Sequence, residues 1–100
     1  MLSTKVYSLN DVVTFKLANG EELISRISEE RTTDYLLNKP MALVATPNGG
    51  LGLAPALFTN DPQKPVVLNK SAVSLHCLTV GDFANQYMEK TSGLTIVKSM

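Results

Sequence analysis

The dipeptide Asn19-Gly20 stands between two runs of alternating apolar and polar residues, and this narrows the folds open to a short chain more than any other feature of it. Upstream, Val12-Val13-Thr14-Phe15-Lys16-Leu17 is rich in β-branched and aromatic residues and puts Val13, Phe15 and Leu17 on one face of an extended strand. Downstream, Glu21 to Ile27 resumes with Leu23 and Ile27 apolar. Asn-Gly suits the positive φ that a type I′ turn needs at both central positions, so the spacing predicts a hairpin with that turn.

Further along, Ser28 to Thr33 is a polar run that turns the chain, and Asp34-Tyr35-Leu36-Leu37-Asn38 with Lys39-Pro40-Met41-Ala42-Leu43-Val44 reads as a third extended segment. Pro40 belongs at a bend or an edge, because it has no N–H for a ladder. Pro47-Asn48-Gly49-Gly50 is a second turn, and Pro55 stops Leu51 to Phe58 from being one long regular strand. Val66-Val67-Leu68 and Val73-Ser74-Leu75-His76-Cys77-Leu78 are two more strands, separated only by the sharp turn Asn69-Lys70-Ser71-Ala72. The count is five to six short strands. Asp82 is placed to cap a helix carrying Phe83, Tyr87 and Met88 near one face, Ser92-Gly93 would end it, and Leu94 to Val97 would add a strand or a packed tail.

One hundred residues sustain a single core, so the expectation is one domain over 1–100, its β core at about 12–78 and its helix at about 82–91. Alternation places Val13, Phe15, Leu17, Leu23, Val73, Leu75 and Cys77 in that core, with His76 on the opposite face at a surface or interface. Cys77 is then a small buried hydrophobe.

Composition bears on function mostly by exclusion. Nine Lys and Arg balance nine Asp and Glu, so no global positive field gathers nucleic acid, and any RNA contact has to be local. With one Cys and one His there is no internal disulfide and no partner set for zinc, and no cofactor motif is present. Glu21-Glu22 and Glu29-Glu30 flank turns and point to opposite faces, and no nucleophile is spaced with a base, so the chain does not read as an enzyme. Neither a secretory leader nor an apolar run of membrane-spanning length is seen, which implies a cytoplasmic protein without membrane contact.

Leu17-Ala18-Asn19-Gly20-Glu21-Glu22-Leu23-Ile24-Ser25-Arg26-Ile27 resembles the first Sm motif, and Asp34-Tyr35-Leu36-Leu37-Asn38 resembles that motif's later half. Val67-Leu68-Asn69-Lys70-Ser71-Ala72-Val73-Ser74 is similar to the second Sm motif in its Hfq form, where Tyr-Lys-His-Ala-Ile-Ser stands. The overall pattern looks most like the Sm-like proteins carried by tailed phages. The resemblance implies a mainly β fold, a small strongly bent five-stranded barrel with one short C-terminal helix, assembled with copies of itself into a ring. It further implies that pore-facing loops offer Asn38, Asn69, Lys70 and Ser71 to single-stranded RNA, with Asp34 ordering a neighbouring loop. Ser71 stands where Hfq has a base-holding His, and Leu36 where Sm proteins have a stacking ring. Those two positions and the neutral charge speak for an alternative, a protein-interaction or phage assembly module that keeps the ring without RNA.

Overall fold

Strand propensity and turn chemistry act where the sequence places them. A computed structural model of the chain describes residues 7–92 and holds six strands: β1 (Val12–Leu17), β2 (Glu22–Glu30), β3 (Asp34–Ala45), β4 (Leu51–Pro55), β5 (Val66–Asn69) and β6 (Val73–Leu78). A 3-10 turn, Lys70–Ala72, joins the last two, and one helix, α1 (Gly81–Thr91), follows. All pairings are antiparallel, in the order β4-β3-β2-β1-β6, with β5 paired to β3 off this path. Among the described residues β5 pairs only with β3 and β6 only with β1, so the sheet they form stays open between them. The mainly β architecture with one short helix is therefore observed, as six strands in an open sheet. The segment Leu94 to Val97 lies outside the described residues.

The first hairpin forms where expected but through a different turn. Only Gly20 takes a positive φ, at 95°, and Asn19 does not, so the turn is not type I′. Leu17 donates its N–H to the Glu21 carbonyl and Gly20 donates to that of Leu17, while the Asn19 side-chain oxygen accepts from the Glu21 N–H. This is the longer connection in which a single left-handed glycine ends the loop.

β3 is bent in the middle, and Pro40 marks the place. Asp34 to Leu37 pairs with β5, Met41 to Ala45 pairs with β4, and between them Lys39-Pro40 opposes the single residue Ser25 of β2. Lys39 sits at φ 50°, a left-handed conformation that costs an L residue about 1–2 kcal/mol. Its ammonium donates to the Thr91 carbonyl at the end of α1, 3.2 Å away, and the Ser25 hydroxyl donates to the Arg26 and Asn38 carbonyls across the break.

The bend divides the interior into two clusters on opposite faces of the sheet. Val13, Phe15, Leu23, Ile27, Tyr35, Leu37 and Leu68 fill one. Ile24, Met41, Leu53 and Tyr87, with Val12, Leu43 and Phe83 packed beside them, fill the other, where α1 lies. Adjacent residues such as Leu23 and Ile24 serve different cores because successive side chains point to opposite faces. The helix starts one residue before Asp82: Val80 is the N-cap and makes no side-chain cap bond, while Asp82 stands in the first turn, where a negative charge suits the helix dipole.

β6 departs most from expectation. Lys16 pairs with Leu75 but Leu17 pairs with Val73, so Ser74 is an extra residue, a bulge that inverts the alternation beyond it. Val73, His76 and Leu78 consequently share the face of Leu17, Phe15 and Val13, while Leu75 and Cys77 point the other way. Val13, Phe15 and Leu23 are buried as expected, with Leu17 and Val73 packed at the edge of their cluster, but Leu75 is 68% exposed and Cys77 is exposed too. The reading of Cys77 as a buried hydrophobe is corrected by that bulge, and so is the face of His76, which lies on the side of Phe15 but is exposed there, at a surface as expected.

Candidate functional site

Three of the four residues that the resemblance offers to RNA come together at the β5–β6 turn. Asn69 and Ser71 are exposed, and Lys70 is half-buried with its N–H bonded to the Thr33 carbonyl. Asn69 is paired with Asp34, so the turn lies beside the polar 31–33 loop. Here Arg31 grips Asp34 through two bonds, Nε to Oδ1 at 2.6 Å and Nη2 to Oδ2 at 3.0 Å. That grip holds the Asp34 carboxyl below its ordinary value of 3.8. Arg31 also donates its backbone N–H to the Asp34 carbonyl, so the two residues close the turn between them.

Lys70 is less free than a solvated loop charge. Its ammonium donates to Glu30 Oε2 at 2.9 Å and lies 5.2 Å from the centre of the Tyr35 ring. The hydrogen bond that Lys70 donates to Glu30 raises the Lys70 pKa, so the proton stays. Behind it the Tyr35 ring belongs to the core, and the aromatic group extends outward through His76, 6.4 Å from Tyr35 and 6.5 Å from Phe15. Tyr7 closes the group, its hydroxyl 2.7 Å from His76 Nδ1. Burial, and then the contact with Tyr35, push the Tyr7 phenol well above the ordinary range. Sequence reading missed Glu30 as the partner of Lys70 and Tyr7 and His76 as neighbours of Tyr35, because strands far apart in sequence bring them together.

Asn38 is elsewhere. It is exposed at the bend of β3, its carbonyl accepts from Ser25 and Tyr87, and it lines a groove beside α1 with Arg26, Lys39 and Gln63. Sequence reading did not single out Arg26, Lys39, Phe58 or Lys90, which meet in or beside that groove. The only local signal was Phe58, an aromatic residue in a polar loop.

The edge strands β5 and β6 carry exposed apolar side chains: Val67 is 52% exposed, Leu75 68% and Leu78 49%. Among the described residues no cluster of His, Cys, Asp and Glu is placed to hold a metal ion, and no helix is long and apolar enough to cross a membrane. By sequence the chain matches no known protein family and no curated protein.

One pH effect follows from this geometry. The depressed Asp34 value means that the ion pair contributes stability above pH 3.8, and that this contribution is lost as pH falls through the lower folded value. Asp34→Asn should accordingly be less stable than wild type at neutral pH, with the difference vanishing in strong acid. Urea midpoints measured across that range check it, and a constant difference at all pH values would contradict it.

Proposed function

We propose that this chain is a self-assembling subunit of the Sm-like kind, in which the free edge of β5 in one copy pairs with the free edge of β6 in the next to close a ring. The observation that supports this is the pair of open edges. β5 and β6 are consecutive in the chain yet diverge to different strands, so among the described residues each has one unpaired edge, and each carries exposed apolar side chains. Unlike edges joined head to tail give a ring when the rotation closes, and pairing them removes the hazard of exposed N–H and C=O groups. β4 is poorer for this, since Pro55 withholds an N–H from its edge. In this reading the open, bent sheet is an Sm-like barrel that neighbouring copies complete.

Single-stranded RNA is the second reading of the same ring. Asn69, Lys70 and Ser71 sit together at an accessible turn that a ring would repeat around its axis, turning one weak contact into several. The Lys70–Glu30 pair offsets the positive charge that RNA would meet there, which speaks for the assembly module without RNA. Light scattering after size-exclusion chromatography tests the ring itself: the expected mass is that of three or more chains at micromolar concentration, and a monodisperse monomer would overturn it.

A further inference from the structure

We propose that the groove between the bend of β3, loop 56–65 and the C-terminal end of α1 is a second binding site, for an unpaired stretch of nucleic acid. The site is separate from the β5–β6 turn and does not depend on the ring.

The groove is built from four segments distant in sequence. Its main part, of about 600 Å³, is lined by Lys39, Pro40, Phe58, Asn60 and Lys90 among others, and an adjoining part of about 360 Å³ adds Arg26 and Asn38. Both volumes fall within the range of about 300–1,000 Å³ typical of small-ligand sites. Among the described residues three cations line it and no carboxylate does. The carboxylate of the flanking loop, Asp61, accepts the Gln63 N–H within its own turn. No ion pair among the described residues engages Arg26 or Lys90. In a chain of zero net charge, this concentrates positive charge where a phosphate would be drawn.

Phe58 supplies the second element. It is 83% exposed, so its ring does nothing for the core, and it stands at the edge of a cationic groove. Base stacking on such a ring tolerates any sequence, since every base has a π face. The amides of Asn38, Asn60 and Gln63 each carry a donor and an acceptor that can meet a base edge. An acidic peptide would use the cations and the amides but has no flat ring to stack on Phe58, so nucleic acid fits the lining better.

Fluorescence anisotropy with labelled 12-mers of oligo-U and oligo-dT, and with an oligo-Glu peptide, tests the assignment. Full-length wild type is compared with Phe58→Ala, Lys90→Ala, Lys70→Ala and, as a control on β1, Lys16→Ala. Phe58→Ala should weaken binding about tenfold. Lys90→Ala should lower the salt slope by about 0.7. Lys16→Ala should bind as wild type does, and circular dichroism should show every variant folded. Phe58-dependent binding of either strand supports the site. The proposal is overturned if wild type binds neither strand at low salt, if only Lys70→Ala weakens binding, which assigns it to the β5–β6 turn, or if the oligo-Glu peptide binds and the strands do not.

Discussion

Replacing Tyr87 by alanine is expected to remove about 4 kcal/mol of stability, because one side chain ties α1 to both strands at the bend. Its ring is 1% exposed and packs with Ile24, Met41 and Leu53. The hydroxyl accepts the Arg26 N–H at 3.2 Å and donates to the Asn38 carbonyl. These two residues oppose each other beside the Lys39-Pro40 break, where the regular ladder cannot satisfy their backbone groups. Burial also raises the Tyr87 pKa, so the phenol stays protonated and able to donate. Domains of this kind are stable by about 5–15 kcal/mol in all, so the loss is a large fraction of the total. Tyr87→Phe separates the two contributions, since it keeps the ring but leaves the part-buried Arg26 N–H without this acceptor and the Asn38 carbonyl with the Ser25 hydroxyl alone, a loss of about 1–3 kcal/mol. Urea unfolding followed by circular dichroism reads both. Midpoints indistinguishable from wild type in both variants would show that the helix is not anchored here.

The other large effect is expected on assembly. Leu75→Glu should reduce the particle to a single chain of 10.8 kDa, provided that β6 is the joining edge. Leu75 faces solvent in the isolated chain, so the fold tolerates the change to within about 0.5 kcal/mol, as surface substitutions usually do. At a subunit interface the same carboxylate would lose its water without gaining a partner, which costs several kcal/mol. Each 1.4 kcal/mol is about tenfold in dissociation constant, so a hundredfold or greater weakening at every joint should open the ring at micromolar concentration. Leu51→Glu is the matched control: Leu51 is 56% exposed on β4, whose edge the ring does not use. Light scattering should give wild-type mass for the Leu51 variant and monomer mass for the Leu75 variant. Equal masses for both would remove β6 from the interface.

Much of this architecture was legible in the sequence because it is local. Asn19-Gly20 between alternating strands marks the hairpin, since a positive φ is needed within a few residues of the turn and only glycine supplies it freely. Pro40 marks the bend because a missing N–H and a fixed φ act at the residue itself. Phe83 and Tyr87, four apart, mark the buried side of α1 through the helical period. The grouping of Asn69, Lys70 and Ser71 was legible because they are consecutive.

What tertiary structure alone decided was set by pairing across long separations. The phase of β6 depends on where Val73 to Leu78 docks on β1, and the Ser74 bulge there exchanges the faces of Leu75, His76 and Cys77 although nothing in the strand's own pattern announces it. Lys70 finds Glu30 forty residues away because β5 and β2 lie on either side of β3. Asn38 parts from Lys70 because the bend carries it toward α1. A side chain's chemistry is written at its own position, whereas its partners depend on which strands share an edge. That choice is made by burial of two cores on opposite faces of one sheet, a property of the whole chain rather than of any segment of it.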